Sequence, residues 1–358
     1  MNTFKPNWAS PPGATVLDLL HERQLPVKEL AERAHRDVQS VSRLIYGLEP
    51  LTIDWAECLS AMLGASPGFW LRREEMYRAD LRRIFESTEE PPDKWLSDVP
   101  INDLVRFGWI KQGTSVNETT LNACAFFGVT TSRSFDQKYK SLYQASAYRA
   151  STAYVTRPTA VAAWLRQGEI QASAVVCAPW NRNKLAGSLD SIRALTLEAD
   201  PSTFLPQLES TLASCGVAMV VARTPEGCRA SGATRFLHSE QALIQLSFRY
   251  LADDQFWFTV FHEIGHLLLH AHNELFLEGL EDRSNEAERE ADDFALDTLF
   301  AKVGASALDK VEPSLLGIKR LARRAGISDG IVVGQLQKRK RVPYSHFNKL
   351  KARYAWSD

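Results

Sequence analysis

The length, composition and charge of the chain exclude several classes of protein. With 358 residues it is too long for one ordinary hydrophobic core and suits two or three domains. Its 45% hydrophobic and 24% charged residues are close to the averages of globular proteins, which excludes a disordered or fibrous chain. The sequence has no apolar run long enough to cross a bilayer, no signal-peptide pattern at its N-terminus and five scattered cysteines without a CxxC pair. We therefore expect a folded cytoplasmic protein with reduced cysteines and no membrane contact.

The net charge of −1 hides a strong segregation of charge along the chain. Residues 274–297 contain ten acidic and two basic side chains, whereas residues 302–358 contain thirteen basic and four acidic ones. Such runs are typical of solvated helix faces. A nucleic acid or an acidic partner is the alternative interpretation of the basic tail.

Residues 15–70 have the apolar periodicity and the turn residues of four or five short helices. The first helix is predicted over residues 15–23, and the second is VKELAERA, with Pro26 at its first position. After the three-residue turn HRD, the third helix is VQSVSRLIY, which Asp37 caps and Gly47 ends.

The second and third helices, joined by this tight turn, form a predicted helix-turn-helix for the major groove of double-stranded DNA. The polar side chains opposite the apolar stripe of the third helix are Gln39, Ser40, Ser42 and Arg43. Gln39 is the candidate for reading adenine, and Arg43 for guanine or phosphate. A helical bundle without DNA contact is the alternative. Because this head has few basic residues, we expect one copy to bind weakly and a homodimer to read two half-sites.

This pattern resembles the phage-repressor-like helix-turn-helix of antitoxin-type regulators. The continuation LTIDWAECLSAMLGASPGFWLRREEMY is similar to the helices that follow in that family. His35 stands in the turn where the family commonly has glycine, so a left-handed backbone is expected at a histidine. The resemblance implies a DNA-binding domain over residues 1–86.

Residues 87–187 carry helical patches but no catalytic spacing. The polar segment ESTEEPP marks their predicted boundary with the head, and the tryptophans and phenylalanines that follow are predicted to be core residues. We interpret this region as a helical connector or sensor.

The segment FWFTVFHEIGHLLLHAH contains the pattern HExxH, with His262, Glu263 and His266. Histidines four residues apart lie on one helix face, so both imidazoles can bind one Zn²⁺ ion, and Glu263 is then turned towards a metal-bound water. The strand-like segments CGVAMVVA, GATRFL and ALIQLS predict the sheet that a zincin needs beside this helix. The sequence therefore predicts a zinc-dependent hydrolytic site.

Three residues compete for the position of third zinc ligand. His272 has the spacing of the last histidine in HExxHxxGxxH, but Leu269 replaces the glycine that would turn the chain back. In the predicted helix NEAEREADDFALDTLF, Glu288 falls on the apolar face and Glu290 on the acidic one. A carboxylate on an apolar face needs a partner such as a metal ion, so Glu288 is the preferred ligand. Asp292, one turn later, is placed to hydrogen-bond a ligand imidazole.

The chain resembles the ImmA/IrrE family of metallopeptidases in HEIGHLLLH, EREADDFA, SFRYLADDQFWFTVF and GISDGIVVGQLQ, across residues 160–358. Members pair such a domain with a repressor-type head, and the resemblance implies limited proteolysis of a transcriptional repressor or antitoxin. We therefore expect a mainly α-helical protein with an N-terminal helix-turn-helix bundle. A small α+β zincin-like domain of the HExxH gluzincin type is expected over residues 188–302, followed by a basic helical extension over residues 303–358.

In the expected mechanism, Zn²⁺ polarises the scissile carbonyl, and Glu263 passes the proton of the attacking water to the leaving amine. Tyr250, Arg249 and His270 are candidate donors to the developing oxyanion, and no spacing selects among them. The substrate is predicted to lie along an edge strand at ALIQLS.

Other functions fit the same motifs. In one, the protein is a regulator or antitoxin whose zinc domain senses or binds a partner without proteolysis, although structural zinc would not need Glu263 as a general base. Hydrolysis of a non-peptide amide is another, without a feature of its own. The C-terminal segment IKRLARRAGISDGIVVGQLQKRKR predicts two helices that pack against the peptidase domain, with a nucleic-acid contact as the alternative.

Overall fold

The computed structural model describes residues 8–23, 25–87, 92–140, 157–270, 275–278 and 286–356. The chain forms two compact units. Unit 1 consists of Met1–Val176 and Pro225–Cys228, and unit 2 of Cys177–Thr224 and Arg229–Asp358. The predicted boundary after residue 86 lies inside unit 1, and those after residues 187 and 302 lie inside unit 2. The finer division into four domains stays a prediction.

All regular elements of unit 1 in the described residues are α-helices. In chain order they are α1 (Pro12–Glu22), α2 (Val27–Arg33), α3 (Val38–Ile45), α4 (Ile53–Leu63), α5 (Pro67–Glu86), α6 (Pro92–Asp98), α7 (Ile101–Arg106), α8 (Val116–Phe127), α9 (Ser132–Lys138) and α10 (Pro158–Ala172). Helices α1 to α5 enclose one core, which includes Leu30, Val41, Leu44, Trp55 and Trp70. Residues 88–91, in the predicted boundary segment ESTEEPP, lie outside the described residues.

Helices α2 and α3 are joined by the short turn that the sequence predicts. The carboxylate of Asp37 caps α3 by accepting a hydrogen bond from the backbone N–H of Ser40 at 2.7 Å. His35 has φ 51°, the left-handed conformation expected in this turn. Pro26 is the N-cap of α2 rather than its first helical residue, because its ψ of 148° is extended. DNA binding by these helices stays a prediction.

Helices α6 to α10 surround a second group of aromatic side chains in unit 1. Phe126, Phe127, Phe135 and Trp164 are all buried. The ring of Trp95 meets that of Phe135 edge-on, with centroids 5.5 Å apart. These aromatic residues are therefore core residues, as expected, whereas a connector or sensor role for the region stays a prediction.

Unit 2 combines helices with a small mixed sheet. Its elements are α11 (Arg182–Gly187), α12 (Leu189–Leu195), α13 (Pro201–Ser214), β1 (Val217–Val221), β2 (Gly232–His238), β3 (Gln241–Leu246), α14 (Asp253–Leu269), β4 (Phe276–Glu278), α15 (Glu286–Leu299), α16 (Ala307–Lys310), α17 (Leu315–Ala325), α18 (Asp329–Lys338) and the 3₁₀ turn Asn348–Leu350. The strand order in the described residues is β1-β3-β2-β4. Strands β1 and β3 are parallel, and β2 is antiparallel to both of its neighbours. The three predicted strands are thus present.

Strand β3, in the segment ALIQLS, is not an edge strand. It pairs with β1 on one side and with β2 on the other, so its backbone groups already bond within the sheet. The prediction that a substrate lies along this strand is therefore wrong. A short apolar run in the sequence indicates a strand, but not which strands flank it. In the described sheet, β1 and β4 form the edges.

The segment Pro225–Cys228 leaves unit 2 between β1 and β2 and is part of unit 1. The backbone N–H of Glu226 donates to Oδ2 of Asp103, in α7, at 2.5 Å. The backbone N–H of Arg157, which precedes α10, donates to the carbonyl oxygen of Gly227 at 3.0 Å. These bonds fix the segment among the helices of unit 1.

Helix α14, which carries the HExxH pattern, lies in the core of unit 2 together with the C-terminal helices α17 and α18. The expected packing of the C-terminal extension within this unit is therefore present. Ion pairs use part of its positive charge, namely Lys338 with Asp292, Arg339 with Asp309 and Lys351 with Asp254. No helix in the described residues is both long and apolar enough to cross a membrane.

Candidate metal centre

Two helices of unit 2 bring the predicted metal ligands together. Helix α14 carries His262 and His266, and α15 carries Glu288. Gly265 lies where the two helices meet, because a Cβ at this position would be 3.3 Å from the Cα of Ala291. Absence of that side chain allows the helices to approach closely. The relative exposures of 1% for His262, 1% for His266 and 7% for Glu288 show that all three side chains are buried.

The ligand atoms of these three residues form a compact triangle. His262 Nε2 and His266 Nε2 are 3.0 Å apart. Glu288 Oε2 lies 3.3 Å from His262 Nε2, and Glu288 Oε1 lies 3.2 Å from His266 Nε2. Nitrogen and oxygen ligands at the usual distance from a tetrahedral zinc ion are separated by about 3.3 Å. Two imidazoles and a carboxylate with this spacing therefore fit zinc.

Electrostatics favour the protonation states that a metal requires. Burial lowers the pKa of His266, which keeps its imidazole neutral. Burial opposes ionisation of Glu288, but the imidazoles of His262 and His266 beside its carboxylate outweigh this effect and lower its pKa. A neutral imidazole and an ionised carboxylate are the metal-binding forms of these side chains.

Asp292 hydrogen-bonds the Nδ1 side of the His262 imidazole, the role that the sequence predicts for it. His262 Nδ1 donates to Asp292 Oδ1 at 3.1 Å, and Lys338 Nζ donates to Asp292 Oδ2 at 3.0 Å. Burial opposes ionisation of Asp292, but the bond from His262 and the charge of Lys338 outweigh it and lower its pKa. A donated Nδ1 proton leaves the lone pair of Nε2 directed at the other ligands.

His270 occupies the corresponding position behind His266. Its Nδ1 shares a hydrogen bond with Nδ1 of His266 at 3.0 Å, and its Nε2 bonds Oε2 of Glu290 at 3.0 Å. The prediction of His270 as an oxyanion donor is wrong, because it contacts the ring nitrogen of His266 that faces away from the triangle. Glu290, the rival ligand, is exposed and bound to His270. His272 lies outside the described residues.

Glu263 is fully buried and lies against the first residue of β2. A Cβ added to Gly232 would be 2.2 Å from Glu263 Oε1 and 2.8 Å from Thr259 Cγ2. Only a glycine leaves space for the carboxylate at this point. Gly232 was not predicted to belong to the site. A glycine at the first position of a predicted strand was the available signal, since it marks close approach by another group.

A cavity of about 680 Å³ lies beside His262 and Glu288. Arg249 and Tyr250, the other two predicted oxyanion donors, both contribute to its wall. They therefore stay candidates for contact with a substrate, whereas His270 is not among the residues that line this cavity.

The predicted DNA-contacting side chains of α3 differ in exposure. Gln39 is exposed, and Arg43 is half-buried with its guanidinium bound to Glu49 at 2.8 Å. Ser40 and Ser42 are buried, so the prediction that they face solvent is wrong. The hydroxyl of Ser40 donates to the capping carboxylate of Asp37 at 2.9 Å, which holds it at the start of the helix.

Comparison with known families bears on the domain that contains this centre. Residues 222–336 match the family model Peptidase_M78, described as the IrrE N-terminal-like domain. No curated protein matches the chain. The matched residues include β2, α14, α15 and hence all three residues of the triangle. Residues 222–336 are therefore similar to the peptidase domain of the ImmA/IrrE family.

Proposed function

We propose that unit 2 is a zinc-dependent endopeptidase in which His262, His266 and Glu288 hold the metal. The observation that carries this proposal is the buried triangle of two imidazoles and one carboxylate at the spacing of zinc ligands. Helix α14 also supplies Glu263 next to His262, and a site that only held a metal would not need this carboxylate. Its presence favours hydrolysis over a purely sensory zinc domain.

Different residues of the chain have different roles in the proposed hydrolysis. Zinc bound in the triangle would polarise the scissile carbonyl and acidify water. Glu263 accepts a proton from the attacking water and delivers it to the leaving nitrogen. Asp292 and His270 hold the two imidazoles in position from their Nδ1 sides. Arg249 or Tyr250, on the cavity wall, donates to the developing oxyanion.

We infer that unit 1 binds double-stranded DNA through α2 and α3. The capped start of α3, the left-handed residue His35 in the turn and the exposed side chain of Gln39 support this inference. A DNA-binding unit joined to a peptidase favours a regulator whose substrate is a repressor or an antitoxin. The alternative is a head that docks onto another protein.

The peptidase proposal is tested by removing the base and a ligand separately. Glu263→Gln should abolish cleavage and keep zinc, because an amide cannot accept the proton but is not a ligand. His262→Ala should lose zinc as well as activity. Zinc is measured by elemental analysis of the purified chain, and cleavage by mass spectrometry on a mixed peptide library.

Glu286→Gln, an exposed change on α15, is the matched control and should keep both properties. Normal cleavage by Glu263→Gln would remove Glu263 from the mechanism. Stoichiometric zinc in both His262→Ala and His266→Ala would contradict the assigned metal centre.

A further inference from the structure

We propose that the cavity beside the metal centre binds a carboxylate of the peptide substrate, either on an acidic side chain or at the C-terminus. This inference rests on the proposed peptidase function and adds the class of substrate to it. The charged residues that line the cavity carry it. They are Arg249, Arg289, Lys338, Lys351 and Arg353 on the basic side, and Asp254, Glu288 and Asp292 on the acidic side.

Both lysines of the cavity wall already form ion pairs within it. Lys351 Nζ lies 2.7 Å from Asp254 Oδ2, and Lys338 Nζ lies 3.0 Å from Asp292 Oδ2. The third carboxylate, that of Glu288, belongs to the ligand triangle. The acidic residues of the wall therefore have partners, and the excess charge belongs to the arginines.

Arg249, Arg289 and Arg353 form no ion pair with a carboxylate among the residues that the structure describes. One N–H group of Arg249 donates to the carbonyl oxygen of Arg229, and one of Arg353 donates to that of Tyr250 at 3.5 Å. A guanidinium has further N–H groups, so each of these side chains can still bind an anion. Zinc in the triangle would add to the positive potential.

Arg353 is fixed beside the start of α14 by backbone hydrogen bonds. It pairs with Ala252 in an antiparallel bridge. The N–H of Asp253 donates to the carbonyl oxygen of Ala352 at 3.1 Å, and the N–H of Tyr354 donates to that of Leu251 at 3.0 Å. These bonds hold the C-terminal segment beside the turn that also carries Arg249. The guanidiniums of Arg249 and Arg353 therefore extend from backbone segments that hydrogen bonds hold in place.

The geometry of guanidinium groups favours a carboxylate as their ligand, since planar N–H pairs bind both of its oxygens. In a peptide this group is either the side chain of aspartate or glutamate, or the C-terminal carboxylate. A lysine at the same place would be repelled. A peptide rather than a nucleic acid is favoured because the cavity includes His262 and Glu288, where the scissile bond would lie.

Binding is measured on the zinc-loaded Glu263→Gln chain, which should hold a peptide without cleaving it. The probes are fluorescein-labelled peptides of equal length that differ only in a central pair of glutamates, glutamines or lysines. Each is made with a free and with an amidated C-terminus. We expect the glutamate peptide to bind about ten-fold more tightly than the glutamine peptide, with the lysine peptide weakest and the preference reduced by salt.

The two ends of the peptide distinguish the sources of the carboxylate. A preference for glutamate in the amidated peptides assigns the cavity to an acidic side chain. A preference for the free acid over the amide, whatever the central residues, assigns it to the C-terminal carboxylate. Either result supports the proposal.

Arg249→Gln and Arg353→Gln, each combined with Glu263→Gln, should remove most of the preference. Arg323→Gln, an exposed change on α17 outside the cavity, is the matched control and should keep it. Zinc content and circular dichroism identify a variant that fails to fold, in which case the variant of the other arginine tests the proposal.

Equal affinity for all peptides, or tighter binding of a single-stranded oligonucleotide, would overturn the proposal. Cleavage without such a preference would contradict carboxylate binding and keep the peptidase function. Preferential binding without cleavage by the unmutated chain would contradict the peptidase function and keep carboxylate binding.

Discussion

Gly232 shows how a single missing side chain can position the carboxylate that we propose as the general base. Its hydrogen atoms face the carboxylate of Glu263, which is fully buried and cannot move into solvent. Thr259 closes the same space from α14. A methyl group at residue 232 would therefore displace the Glu263 carboxylate, because β2 is held by its neighbours in the sheet.

We predict that Gly232→Ala lowers kcat about 100-fold and leaves the zinc content unchanged. A displacement of about 1 Å is enough for a loss of this size. The measurements are the rate of peptide cleavage and the metal content of the same preparation. Gly187→Ala is the matched control, since no atom of the described residues lies within 4 Å of a Cβ added there. Undiminished activity of Gly232→Ala would show that the carboxylate does not need its present position.

The residues of the site were partly predictable. Helical periodicity separates Glu288 from Glu290 correctly, because side chains on one helix fall on inner and outer faces at fixed intervals. The same rule fails for Ser40 and Ser42. Ser40 is drawn in by the cap at Asp37, and the buried face of the short helix α3 is wider than its apolar stripe. The helical periodicity of a sequence carries no information on capping or on tertiary contacts.

Helix α14 begins with an acidic residue in the protein interior. Asp253 is 2% exposed, and its carboxylate accepts hydrogen bonds from Ser328 Oγ at 2.8 Å and from the N–H of Asp254 at 2.9 Å. Gly330 on α18 leaves room for it, because a Cβ there would lie 2.3 Å from Asp253 Oδ1. Burial, with a smaller contribution from the charge of Asp254, raises the pKa of Asp253 to about 6.

This raised pKa predicts a pH dependence of stability. The folded state binds the proton of Asp253 more tightly than the unfolded state, whose pKa is near 3.8. The stabilising contribution is therefore fully present below pH 3.8, falls as the pH rises and is lost above about 6. Over this window the free energy of unfolding should fall by about 3 kcal/mol relative to Asp253→Asn, which has no such proton.

Urea unfolding followed by circular dichroism, with a chelator in every sample, measures this difference across the window. The chelator removes the contribution of metal release on acidification. Asp293→Asn, an exposed change on α15, should keep the pH dependence of the unmutated chain. Parallel curves for Asp253→Asn and the unmutated chain would contradict the prediction.

Helices and strands were more predictable than their arrangement. Short apolar, strand-like segments predict β1, β2 and β3, and the helical pattern predicts α14 and α15. The order of the strands was not predictable, since β1 and β3 pair in parallel across an intervening strand in the sequence. The backbone pairing that places Arg353 beside α14 was missed for the same reason, because hydrogen-bond partners distant in sequence leave no local signal.

The proposed activities of the chain lie in different units, so each should be removable alone. We predict that Gln39→Ala weakens binding to an operator by about 1 to 3 kcal/mol and changes its base preference. Zinc content and peptide cleavage should be unchanged. Electrophoretic shift assays with DNA from the chain's own promoter region test the first part, and Gln137→Ala, exposed on α9, serves as control. An unchanged affinity and preference for DNA would favour the head as a protein-docking module.

The segment Pro225–Cys228 limits how such a protein can be taken apart or recombined. No single break in the chain yields both units intact, because a cut after Val176 leaves this segment on the fragment that contains unit 2. Its hydrogen-bond partners Asp103 and Arg157 would remain on the other fragment. In a chimera joined after Val176, this segment would therefore be an unpaired loop that proteases can cut. The unit 1 from which it was separated would lack it. We expect the two units to be inherited together rather than exchanged as separate cassettes.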